Sequence, residues 1–285
     1  MMASLEALRA LQGFILDLDG TVYRGEHPVA GAPEFLAHLR AAHVPFRYVT
    51  NNSSTPPARV AKRLCDMGIP AAADDVLTSA EVTAAVLAAS MPGCRVFLIG
   101  EDGIREALLG AGFTIVNEFK EAQAVVLGWD RQLTWAKLRD AALAVRAGAP
   151  LLATNSDRTL PTEDGEVPGA GSELAALEAA TDAKATVIGK PAPTMLQHAL
   201  RLLGTPAGLT ACVGDRPENE IVGGQAAGLR TIGVLSGAGS RSGFAALSSP
   251  PDWLLQDLGE LDARYFPAPG SPLGAAVSLA ARSGR

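Results

Sequence analysis

Two spacings alternate along this chain. Short apolar runs with no polar break are followed by longer stretches whose apolar residues recur every three or four positions. Residues 13–16 (Gly-Phe-Ile-Leu) form the first run, the pattern of a strand buried on both faces. Residues 31–42 then carry Phe35, Leu36 and Leu39 at helical spacing, and 46–49 form a second run. A further helix passes through Val60, Leu64 and Met67 and closes at Gly68. Strand, helix, strand, helix predicts parallel βαβ units. From about Ser79 a second series begins: helices at 81–89, 103–109 and 134–146, and strands at 95–99, 113–116, 124–127 and 150–153. These predict a second α/β unit over roughly 80–186. Residues 154–171 are polar and read as a long loop, after which Ser172 is expected to cap a short helix through Leu174 and Leu177. The first pattern then returns, with strands at 186–188, 211–213, 231–235 and 253–255 and helices at 194–203 and 218–227. The segment 241–251 reads as a surface loop, and a last helix starts at Leu258.

Polar residues sit just past four of these runs. The first ends in Asp17-Leu18-Asp19-Gly20-Thr21, the second in Thr50-Asn51-Asn52-Ser53-Ser54, and the two later ones in Gly189-Lys190-Pro191 and Gly214-Asp215. Open α/β sheets bind ligands at the carboxyl ends of their strands, so the four tips are expected to meet along one edge of a single sheet. Taken singly, each tip has an ordinary reading. Asp17 and Asp215 can cap helices, Asp19-Gly20 and Thr50-Asn51 can turn, and Lys190 can be a solvated lysine. Together they make one coherent chemistry. Two like-charged carboxylates in one small volume repel, and a hard divalent cation such as Mg²⁺ relieves the conflict. One carboxylate can then attack an electrophile while the other handles a proton. The Thr50 hydroxyl, the Asn51 side chain or nearby backbone N–H groups, and Lys190 supply the donors that a phosphate dianion needs. Asp17, Asp215 and a backbone carbonyl near Asp19 would hold the metal.

Composition narrows the class. A chain of 285 residues, 48% hydrophobic and 19% charged, has length and apolar content for two compact units. A net charge of -6 gives no general attraction for nucleic acid or an anionic membrane, so a phosphate-bearing ligand must be drawn by a local site. Cys65, Cys94 and Cys212 lie far apart with no metal-type spacing. With no apolar run near the ~20 residues of a membrane span and no signal-peptide core, a cytoplasmic protein is expected. Pro, Gly, Ser and Ala dominate 267–285, which is expected to be a poorly ordered tail.

The set Asp17-Leu18-Asp19-Gly20-Thr21, Thr50-Asn51-Asn52, Gly189-Lys190-Pro191 and Gly214-Asp215-Arg216 resembles the haloacid dehalogenase (HAD) superfamily. Gly128-Trp129-Asp130-Arg131 and Thr154-Asn155-Ser156-Asp157 are similar to its capped branch of NagD and p-nitrophenyl-phosphatase-like enzymes. The resemblance implies an α/β protein with a Rossmann-like core (1–79 and 187–266) and an inserted α/β cap (80–186). It implies Mg²⁺-dependent hydrolysis of a small phosphorylated metabolite through an aspartyl-phosphate. Asp17 would be the nucleophile and Asp19 the general acid and base. Thr50, Asn51, Asn52 and Lys190 would bind the phosphoryl group, and Asp17, Asp19 and Asp215 would form the metal site. Asn155, Asp157 and Leu160 are candidates for reading the leaving group, whereas Trp129 and Trp135 are expected in the cap core. A homodimer through the cap is also implied. One departure stands out: the branch usually has an aspartate five residues after Asp215, and here that residue is Glu220. The rival readings are a phosphosugar mutase on the same fold and a non-catalytic sensor of phosphometabolites. Asp17 and Asp19 together oppose the sensor, because binding a dianion needs no carboxylates facing it.

Overall fold

In the computed structural model, residues 3–162 and 165–267 are described, so the expected tail lies outside them from residue 268 onward. The chain divides into two compact units, one of Met1–Tyr48, Leu64–Ala71 and Ala199–Arg285, the other of Val49–Arg63 and Ala72–His198.

In the first unit, parallel strands lie side by side in the order Trp253–Leu255, Arg230–Val234, Thr210–Gly214, Gly13–Leu16 and Phe46–Thr50. Val49 and Thr50 at the tip of the last strand count with the second unit. All four residues of Gly13–Leu16 are buried, as an apolar run with a parallel strand on either side requires. The helix Ala32–Ala41 turns Phe35, Leu36 and Leu39 inward. Phe14 meets the rings of Phe35 and Tyr265 edge-on, at 5.4 and 5.1 Å between centroids. Fully burying such a side chain stabilises the fold by about 2–3 kcal/mol, which fixes the strand carrying Asp17 at its end.

The second unit is built on a five-stranded parallel sheet ordered Thr186–Val187, Leu151–Ala153, Ala124–Leu127, Arg95–Ile99 and Thr114–Val116. Strand residues two apart share a face, and the two apolar clusters follow that rule. Val96, Leu98 and Val126 pack with Ile104 and Leu108 of the helix Asp102–Gly110. Phe97, Ile99, Val125 and Leu127 pack with Ala141 of Trp135–Arg146 and with Leu174 and Leu177 of Ala170–Thr181.

Several expectations change. Thr186–Val187 pairs with Leu152 and Ala153 of the five-stranded sheet, so the four strand tips do not share one sheet edge: Lys190 follows a strand of the other sheet. A two-residue run carries no signal of which sheet it joins. The polar stretch 154–171 contains an antiparallel hairpin, Thr159–Thr162 with Gly165–Pro168. Ser172 is not a cap. The helix starts at Ala170 with Gly169 as its N-cap, and the Ser172 hydroxyl donates to the Arg158 carbonyl at 2.6 Å. Trp135 is 74% exposed with the Arg139 guanidinium 5.6 Å from its ring; an aromatic on a helix is not obliged to be core. A short helix, Arg241–Ala245, capped by the Ser240 hydroxyl, occupies the segment read as a surface loop. Val76–Thr78 is a strand that the pattern did not announce. Among the described residues no helix is long and apolar enough to cross a membrane.

Candidate active site

The acidic group is assembled in the first unit. The Gly13–Leu16 ladder runs one residue further, where the Asp17 N–H donates to the Val213 carbonyl at 2.9 Å. The chain then coils tightly: the Leu18 carbonyl accepts from the N–H groups of Thr21, Val22 and Tyr23. Gly20 sits at φ +88°, and a Cβ there would lie 2.4 Å from Oδ2 of Asp215. Only glycine meets both demands. Asp19 is exposed, and its Oδ2 accepts from the Tyr23 hydroxyl at 3.1 Å.

Asp215 follows the Thr210–Gly214 strand and is 1% exposed. Its Oδ2 accepts from the Ala238 N–H at 2.6 Å, while Oδ1 is buried with no hydrogen-bond partner among the described residues. Burial pushes its carboxyl up to about 6, and the negative charge of Asp17 adds to the shift. Glu220 is also buried. It lies in a wide turn, Pro217–Ile221, that precedes the helix Val222–Ala226, and its Oε2 accepts from the Arg216 N–H at 3.0 Å. Ligand oxygens of Asp17, Asp215 and Glu220 all lie within 4.8 Å of one another. Three carboxylates with one orphaned buried oxygen suit a hard divalent cation. The Asp19 carboxylate is not part of this cluster.

The polar and cationic group is assembled in the second unit. Thr50 is buried, and its Oγ1 accepts from the Asn52 N–H at 3.1 Å. Lys190 is 2% exposed, and its Nζ donates to the Val49 carbonyl at 3.1 Å. A lysine held this far from water needs acceptors or an anion around it. The asparagine side chains make hydrogen bonds within the protein. Asn51 bonds to the Lys190 backbone and to Asp157. Asn52 Oδ1 accepts from Ser54 and Thr55. Asn155 donates to the Asn51 carbonyl at 2.8 Å and accepts from the Asp157 N–H at 3.0 Å. Sequence reasoning missed Tyr23, Ser236 and Ala238. Ser236 donates to the Gly20 carbonyl at 2.7 Å. Nothing in an apolar-polar pattern marks a loop residue that serves a distant acid through its backbone.

An α/β protein whose parallel sheet ends in a carboxylate cluster fit for a divalent cation is the class these features define. Two family models match the chain: haloacid dehalogenase-like hydrolase over residues 14–114 and a HAD-hydrolase-like model over 187–261. An acid sugar phosphatase from Staphylococcus saprophyticus is 36% identical over 254 residues, covering 89% of this chain and 98% of the relative. A solved 4-nitrophenylphosphatase from Thermotoga maritima gives a TM-score of 0.84 at 35% identity, covering 90% of this chain and 97% of that one. A glycerol phosphate phosphatase from Mycobacterium tuberculosis, solved in complex with magnesium, gives 0.84 at 37% identity over 92% of this chain and 78% of that one. The chain belongs to the haloacid dehalogenase-like hydrolase family. Within it, the chain groups with the phosphatases, as the motif resemblance implied.

Proposed function

We propose that this phosphatase hydrolyses small phosphate monoesters through an aspartyl-phosphate on Asp17, with Mg²⁺ as its cofactor. The observation that carries the reading is the Asp17, Asp215 and Glu220 cluster with its orphaned Asp215 Oδ1. These residues would hold the cation, which when bound offsets the negative charge of carboxylates and phosphoryl oxygens.

The residues divide the chemistry as follows. A carboxylate oxygen of Asp17 attacks phosphorus and forms the new P–O bond. The ester P–O bond breaks, and the leaving alkoxide takes the proton of the Asp19 carboxyl. Asp19, now ionised, takes a proton from water, and the water oxygen attacks phosphorus to release Asp17 and inorganic phosphate. The Tyr23 hydroxyl bonded to Asp19 Oδ2 orients that carboxyl for both transfers. Thr50 and Lys190 bind phosphoryl oxygens, and residues 80–186 act as a cap in which Leu160 reads the leaving group.

Relatives named acid sugar phosphatase, 4-nitrophenylphosphatase and glycerol phosphate phosphatase support small phosphate monoesters as the substrate class. The test is a turnover panel of sugar phosphates, glycerol phosphates and p-nitrophenyl phosphate, each with Mg²⁺ and with EDTA. Release of inorganic phosphate from at least one ester, lost in EDTA, is expected. No release from any ester, or release indifferent to EDTA, contradicts the proposal.

A further inference from the structure

The Asn51 side chain treats Lys190 as a neighbouring strand would. Its Oδ1 accepts from the Lys190 N–H at 2.8 Å and its Nδ2 donates to the Lys190 carbonyl at 3.0 Å. The second Nδ2 hydrogen goes to Asp157 Oδ2 at 2.9 Å. The Asn51 carbonyl is taken as well, by the Ser79 hydroxyl at 2.7 Å and Asn155 Nδ2 at 2.8 Å. An amide has two donor hydrogens and one acceptor oxygen, and here all three are engaged. The backbone around this knot is shaped to admit it. A Cβ on Gly189 would lie 2.6 Å from Asn51 Oδ1 and 2.6 Å from the Thr154 carbonyl, and one on Gly171 would lie 2.2 Å from the Ser156 carbonyl. The Gly171 N–H donates to the Asp157 carbonyl at 2.8 Å, tying the Asp157 loop to the helix Ala170–Thr181.

We infer that Asn51 and Asp157 are positioning residues that together fix the backbone of Lys190, not groups that touch the substrate. The Asp157 carboxylate orients the Asn51 amide. The amide then clamps residue 190 at both backbone groups, so the buried Lys190 Nζ leaves its backbone at a set place and angle. A charge-assisted bond such as Asp157 to Asn51 is stronger than a neutral one, and the loop bearing Asp157 thereby sets the lysine through one intermediate side chain. The inference rests on the reading of Lys190 as the phosphoryl-binding cation.

The experiment compares wild type with Asn51→Ala, Asp157→Ala and Asp157→Asn. It reads kcat and KM on p-nitrophenyl phosphate, inhibition by inorganic phosphate, and the rate of Lys190 acetylation by acetic anhydride, followed by mass spectrometry. Asp157 lies on a partly exposed loop, so its variants fold even if Asn51→Ala does not. Asp157→Ala is expected to lose about tenfold in kcat/KM, with KM and the phosphate inhibition constant rising together and kcat falling less. Lys190 is expected to acetylate several-fold faster. Asp157→Asn keeps an acceptor for the Asn51 amide and is expected to restore most of the loss. Wild-type kinetics and labelling in Asp157→Ala overturn the clamp, and so does an Asp157→Asn variant as impaired as the alanine. A wild-type protein that turns over no ester refutes the phosphatase reading alone; the clamp is then judged on Lys190 labelling, which needs no turnover.

Discussion

A Cβ on residue 214 would lie 1.9 Å from the Cγ of Glu220. The longer acid therefore runs across the bare backbone of Gly214, and the wide turn Pro217–Ile221 delivers it to the cluster with Asp17 and Asp215. The bare backbone of Gly214 leaves room for the full length of the Glu220 side chain. Gly214→Ala is expected to push Glu220 out and weaken Mg²⁺ binding about 10- to 100-fold, with Glu220→Gln falling in the same range. Calorimetric titration of the metal-free protein with Mg²⁺ measures it, and unchanged affinity in both variants is the contrary result.

Mg²⁺ binding is expected to depend on pH through Asp215. Burial first, and the charge of Asp17 second, raise its carboxyl from 3.8 to about 6. The metal-free folded protein thus keeps a proton that the cation must expel, and affinity is expected to fall about tenfold per pH unit below about 6. Titrations at several pH values between about 5 and 7 check the slope. A flat profile across that range contradicts it.

Glu173, in the second unit, gives a separate pH signature. Its Oε1 accepts from the Asp130 N–H at 3.1 Å, while Oε2 is buried without a hydrogen-bond partner among the described residues. Burial pushes the carboxyl from 4.5 up to about 7, and the negative charges of Asp130 and Glu101 add to the rise. The folded protein then binds more protons than the unfolded chain between 4.5 and about 7. Its stability declines as pH rises through that window, and this group adds no further change above it. Glu173→Gln keeps an acceptor for Asp130 and has no proton to lose. It is expected to raise Tm relative to wild type at about pH 8 and to give no gain near pH 4.5. Parallel Tm curves for the two proteins across that range are the contrary outcome.

Much of this was legible because the signals were local. The run 13–16, the Phe35/Leu36/Leu39 spacing and the strand tip at Asp215 each announce themselves within a few residues. The family motifs also pointed to the phosphatase class that the relatives support. Part of what escaped depends on partners distant in sequence. Thr186–Val187 is too short to declare that it pairs with Leu152 and Ala153. The hairpin of Thr159–Thr162 with Gly165–Pro168 carries a proline in each strand and no regular apolar alternation, so nothing in it marked a strand. The asparagines at 51, 52 and 155 have the residue type of ligand-binding groups, and their side chains also bond within the protein, as far away as Lys190. No spacing rule separates the two uses of an amide.

The nucleophile is the claim on which the rest turns. Turnover of p-nitrophenyl phosphate by Asp17→Asn, in saturating Mg²⁺ and beside the wild type, tests it most directly. The amide keeps the size of the side chain but removes the attacking oxygen anion, so activity is expected to fall at least about a thousandfold while Tm stays near that of the wild type. An Asp17→Asn protein that retains activity within tenfold of wild type would show that phosphorus is attacked by some other group.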